Sequence, residues 1–351
     1  PLMTPSADRR TGPRIALALL GGLAIWLYEP WRSRPFDILD FSDFLGRLAG
    51  GSGFLDRLGE LTAFYREQHG RFNVVSYAGL AAKWEIFGAS PLAWQLFRAA
   101  QLLAAAGLTY LLLRRLSAGA AGAVLGAGLV LFSYSSSHAW VRLTLGEPLG
   151  LLCVLLASLL AVQSRTDREW RVLAIASGLL VGIAILAKEM LVAWAPIVAY
   201  LGCVVDEKGR LGALGAPDRQ GRWVLASVGI ATAAASIPVI VAVMSQQGES
   251  YARLFGRGGL GLPRILEIAQ RMIFPWPANR LEDPAALALP AALFAVTLLL
   301  GLASTPDPLW TRHARRAMAL GLALPVLATA LYTPWPVYWA PYGLPFVFGP
   351  A

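Results

Sequence analysis

The chain has 351 residues, of which 56% are hydrophobic and 15% charged, with a net charge of +9 and a mean hydropathy of +0.56. That composition fits a soluble globular protein badly and points to an integral membrane protein. The basic surplus does not call for nucleic acid, because its distribution along the chain explains it, and Cys153 and Cys203 both fall within apolar runs, where they read as small hydrophobes and not as a disulfide.

A bilayer core of about 30 Å needs roughly 20 helical residues nearly free of charge. Runs of this kind predict spans near 15–31, 92–113, 118–134, 145–163, 172–187, 190–205, 223–244, 285–303 and 317–333, with a tenth beginning near Trp339. The expected fold class is all-α: one polytopic transmembrane helix bundle over residues 1–351. With the N-terminus inside, the inner segments carry fifteen basic residues against seven acidic ones, a surplus of eight out of the total of nine. Cytoplasmic connections are enriched in Lys and Arg, so this surplus sets the orientation.

The first span has the basic flank of a signal peptide, but "IWLYEPW" offers no small-residue cleavage site, so it reads as an uncleaved anchor. The outer segment 32–91 follows, and "FDILDFSDFL" places Asp37, Asp40 and Asp43 at its start. On a helix Asp40 lies near both neighbours. Like-charge proximity and partial burial raise a carboxylate pKa and make a better base. The same acids also suit a solvated helix start, where the dipole favours them.

In "FLDRLGELTAFY", Phe54, Leu58, Leu61 and Tyr65 recur at helical spacing while Asp56, Arg57 and Glu60 fall opposite, which predicts an amphipathic helix in the membrane interface. A second helix is expected in "FNVVSYAGLAAKWEIFG", with Lys83 and Glu85 near its end. "GASP" then supplies a break, a cap at Ser90 and a first-turn proline at Pro91. Inside the span that starts there, Arg98 is expensive in apolar surroundings and needs a partner, either an outer acid or a phosphate.

His138, Arg142 and Glu147 share the short outer connection "SHAWVRLTLGEPLG", which keeps them near the membrane surface on the side of the aspartates, either as site residues or as interfacial anchors beside Trp140. Lys188 and Glu189 interrupt two apolar runs, either as a self-compensating pair in a turn or with the cation meeting a lipid phosphate. A second outer segment, 246–284, holds "GRGGLG", which lacks the strand and helix of a nucleotide loop. The three histidines, His69, His138 and His313, show no zinc-ligand spacing. The chain begins without Met and stops in an apolar run, as a fragment lacking C-terminal spans would.

Taken in order, these features resemble the GT-C membrane glycosyltransferases, the superfamily of protein O-mannosyltransferases and lipid A aminoarabinose transferases. The resemblance covers most of residues 14–200. It lies in Asp40 and Asp43 after span one, in Phe87, Gly88, Ser90 and Pro91 before span two, and in Lys188 and Glu189 after "GLLVGIAILA". Two features depart from the family pattern: Asp40 and Asp43 are not adjacent, and "PVYWAPYGLPFVFG" has Val337 where an arginine is common.

The resemblance implies a polyprenyl-phosphate sugar donor, a plasma (inner) membrane location and an active site facing the exterior or periplasm. A phosphate leaving group is already a stable anion, so one carboxylate suffices, unlike the paired carboxylates of glycoside hydrolases. Asp40 or Asp43 is then the base for an acceptor hydroxyl, with inversion at the anomeric carbon. Arg98, Arg142 and Lys188 are candidates for the phosphate; Glu147, His138 and Glu189 complete the expected substrate-binding set. A divalent metal held by Asp and Glu is compatible with these residues, but nothing requires it. Two other classes compete: a transporter or flippase for lipid-linked sugars, which should hold ionisable residues at mid-span, and a non-catalytic binding protein.

Overall fold

The computed structural model describes residues 18–19, 21–22, 44–69, 71–116, 120–132, 143, 146–206 and 217–244. All regular structure among them is helical. The elements are α1 (Gly46–Gly50), α2 (Phe54–His69), α3 (Val74–Phe87), α4 (Pro91–Arg115), α5 (Ala120–Phe132), α6 (Glu147–Gln163), α7 (Trp170–Ala187), a 3-10 helix (Glu189–Trp194), α8 (Ala195–Val204) and α9 (Arg219–Met244).

Among the described residues three helices are long and apolar enough to cross a membrane: Pro91–Arg115, Trp170–Ala187 and Arg219–Ala242. They match the spans expected at 92–113, 172–187 and 223–244. The expected spans at 118–134 and 145–163 are the shorter helices α5 and α6. The span expected at 190–205 is not a single α-helix. It opens as a 3-10 helix and becomes α-helical only at Ala195, with Pro196 in the first turn. Proline has no N–H and its ring clashes with the preceding turn, so a helix starts at this position more readily than it passes through. The spans expected at 15–31, 285–303, 317–333 and from near Trp339, and the expected outer segment 246–284, lie mainly or wholly outside the described residues.

The helices pack around α6 and α7. One buried cluster joins α4, α5, α6 and α8, and another joins α6, α7, α8 and α9. The backbones of α7 and α9 come very close, since a Cβ on Gly178 would lie 2.5 Å from the Ser227 backbone. Small residues permit such approach between apolar helices, where apolar burial alone gives little drive to associate. The Ser227 hydroxyl donates to the Ala174 carbonyl at 2.7 Å, and Ser177 donates to Ala157 on α6 at 2.9 Å.

Helices α1, α2 and α3 form a layer with a buried cluster of its own. α2 buries Leu61 and Tyr65 and leaves Asp56 and Glu60 exposed, as the helical spacing predicts. Arg57 departs from that pattern: its side chain is 12% exposed, pairs with Glu85 of α3 and donates from Nε to the Leu48 carbonyl at 2.6 Å. The expected second helix is α3. It stops at Gly88, whose φ of 53° favours glycine. Ser90 then caps α4, accepting from the Ala93 N–H, with Pro91 in the first turn. Trp94 Nε1 donates to the Gly88 carbonyl at 3.0 Å and ties the turn down.

Candidate functional site

The ends of α6 and α7 meet beneath α3. Ser76 of α3 donates its hydroxyl to the Ala187 carbonyl at 2.5 Å, and Gly146 lies so near that a Cβ there would overlap the Ser76 hydroxyl. Glu147 stands in the first turn of α6 and Lys188 at the C-terminal end of α7. Their separation is 3.0 Å and both side chains are buried. Each charge suits its own helix end, an anion at an N-terminus and a cation at a C-terminus, so two dipoles and one ion pair act together. Lys188 adopts an extended backbone, which breaks the helix and turns its side chain toward α6.

The adjacency of Lys188 and Glu189 in the sequence suggests either a self-compensating pair or a cation that meets a lipid phosphate. The structure joins Lys188 to Glu147 instead. Glu189 points into the α3 layer, where the Asn73 side chain hydrogen-bonds it and the positive charges of Lys188 and Arg71 act on it. Among the described residues, Glu189 Oε2, Asn73 Oδ1 and the Tyr77 hydroxyl are buried here without a hydrogen-bond partner. Burial, and then the Glu189 charge, push the Tyr77 phenol well above its ordinary pKa, so Tyr77 keeps its proton. Its ring stacks on Tyr65 at 5.1 Å, and Tyr65 stacks on Phe44 at 5.0 Å. Phe44 follows Asp43 in the chain.

A second group of cations surrounds one carbonyl. Arg98 Nη2 and Lys83 Nζ each donate to the Leu143 carbonyl at 2.7 Å, and Arg98 Nη1 donates to Gln101 Oε1 at 3.1 Å. Lys83 also lies over the Trp94 ring, 4.3 Å from its centroid. The partners that these contacts show for Arg98 are a backbone carbonyl and an amide, where the sequence suggested an acid or a phosphate. Lys83 was not among the expected site residues. The available signal was its place after the apolar "YAGLAA" and before Trp84, where a buried amine needs a strong acceptor.

Of the residues expected at the site, Glu147, Lys188 and Glu189 come together, and Arg98 holds the carbonyl of Leu143, four residues before Glu147. Asp37, Asp40, Asp43, His138 and Arg142 lie outside the described residues. Among the described residues no group of three or more His, Cys, Asp or Glu is placed to hold a metal ion. No family model matches the chain, and neither a curated protein nor a solved structure matches it.

Proposed function

We propose that the protein is a GT-C-like polytopic membrane glycosyltransferase that moves a sugar from a polyprenyl-phosphate donor to an acceptor hydroxyl, with inversion, at the outer face of the plasma (inner) membrane. The observation that carries this reading is the gathering of buried charge at one end of the bundle. Lys188, Glu147 and Glu189 meet there under the outer-segment helices. The order of acidic run, turn before the second span and Lys-Glu after α7 agrees with the family resemblance.

In this reading a carboxylate, Asp40 or Asp43, takes the proton of the acceptor hydroxyl as the new glycosidic bond forms. The bond to the phosphate breaks, and the lipid phosphate leaves as an anion with no need of a general acid. Arg98, Arg142 and Lys188 supply positive charge where that anion develops, while Glu147, Glu189 and His138 receive sugar or acceptor hydroxyls.

The charge distribution favours transfer over transport. A transporter places its ionisable groups at the bilayer midplane, whereas Glu147 and Lys188 sit at helix ends. Replacing Asp40 and Asp43 singly by Asn, in a full-length protein assayed with a lipid-linked sugar, tests the reading. Loss of a general base lowers the rate by about 10²–10⁴-fold. Full transfer by both variants overturns the assignment.

A further inference from the structure

At the opposite end of α7 the structure holds a second charged surface, made of aromatic and guanidinium groups from two helices. Trp170 of α7 and Trp223 of α9 meet edge to face, with ring centroids 6.3 Å apart and planes at 75°. Arg171 of α7 and Arg219 of α9 both lie against the Trp170 ring, their guanidinium carbons 5.2 Å and 5.9 Å from its centroid. One indole thus holds two arginines from different helices as neighbours.

We propose that this end of the α7–α9 pair is a docking site for the headgroup of an anionic glycerophospholipid. Arg168, Arg171, Arg219 and Arg222 are all exposed here. Over 163–171 and 217–223 five arginines face three acids, Asp167, Glu169 and Asp218, so positive charge stays in excess even though Asp218 also acts on Arg222. Asp218 is held by Arg165 through two hydrogen bonds of 2.6 Å and 2.7 Å, and Asp167 accepts the Glu169 backbone N–H at 2.9 Å. The planar guanidinium matches phosphate oxygens in a two-pronged geometry that an ammonium lacks.

The occupant is a lipid and not a free anion because the charged surface continues into an apolar one. Val172, Ile175, Leu179 and Ile183 form one exposed stripe along α7, and Ile230 and Ile237 are exposed on α9. A headgroup at the arginines would lay its acyl chains against these residues. Tryptophans at the level of lipid headgroups, with basic residues beside them, are the usual arrangement at the cytoplasmic rim of a bilayer. The surface is separated from Lys188 by the length of α7, about 27 Å for its 18 residues, so the inference does not rest on the sugar-transfer reading.

The test is native mass spectrometry of the full chain in neutral detergent, titrated with phosphatidylglycerol or phosphatidylcholine. The wild type is expected to retain phosphatidylglycerol at least tenfold more tightly. At on the order of fivefold per arginine, the Arg171→Gln/Arg219→Gln double variant should bind it about 30-fold more weakly. An Arg114→Gln/Arg115→Gln variant, at the far end of α4, should bind like the wild type. Absence of a phosphatidylglycerol preference overturns the proposal. So does an equal loss in the Arg114/Arg115 variant, which would reduce the effect to general surface charge. Displacement of the lipid by millimolar inorganic phosphate would do the same, by making this a plain anion site.

Discussion

Lys188 Nζ lies 3.0 Å from Glu147 Oε1, joining the C-terminal end of α7 to the first turn of α6 in a buried ion pair. Neither helix could hold its charge alone. Taking a charge out of water carries a penalty of several kcal/mol, and only a partner at close range offsets it.

Lys188→Met should therefore destabilise the protein by about 3–5 kcal/mol, because Glu147 is left buried without its cation. The Glu147→Gln/Lys188→Met double variant should recover the part of that loss that Glu147 causes, while Glu189, on which Lys188 also acts, keeps Arg71 as its cation. Unfolding of the full chain by SDS titration measures both. Equal stability of the single variant and the wild type would show that the pair contributes nothing.

Tyr77→Phe should behave in the opposite way. The Tyr77 hydroxyl is buried with no hydrogen-bond partner among the described residues, while its ring stacks on Tyr65. Removing an unsatisfied hydroxyl relieves a penalty of about 1–3 kcal/mol and keeps the stack. Stability should stay level or rise by about 1 kcal/mol in the same titration, and a clear fall would mean that the hydroxyl has a partner.

Two glycines make a paired test of helix packing. Gly178→Ala drives a methyl into the Ser227 backbone, whereas a Cβ on Gly107 meets nothing within 4 Å. Gly178→Ala should cost about 1–3 kcal/mol through overpacking. Gly107→Ala should stabilise by about 0.5–1 kcal/mol, because alanine loses less backbone entropy in a helix. Like effects from the two substitutions would contradict the close crossing of α7 and α9.

The Arg165–Asp218 contact predicts an acid response. The Arg165 hydrogen bonds hold the Asp218 carboxyl at about 2, below its ordinary 3.8, against the opposing effect of partial burial and with help from the Gly221 N–H. A depressed carboxylate pKa gives stability that is fully present above about pH 4 and is lost as the pH falls through about 2. The Asp218 side chain is 55% exposed, so screening keeps the effect below about 1 kcal/mol. Asp218→Asn should flatten the stability profile between pH 4 and 2. An unchanged acid slope would show that the pair is not formed in solution.

The residues themselves determined where several helices begin and end and which three of the described ones are apolar and long enough to cross a membrane, because those features depend on neighbours in the chain. The apolar runs behind α4, α7 and α9 were legible for that reason, as were the stop at Gly88, the cap at Ser90 and the buried pair Leu61 and Tyr65 on α2. Hydrophobic spacing and turn chemistry act over a few residues. Tertiary structure alone decided which charge meets which. Lys188 could be read beside Glu189 but not opposite Glu147, Arg57 looked solvated yet pairs with Glu85, and nothing local linked Lys83 and Arg98 to the Leu143 carbonyl. A buried charge takes whatever acceptor the packing of other helices brings within about 3 Å, and that distance is set by elements remote in sequence.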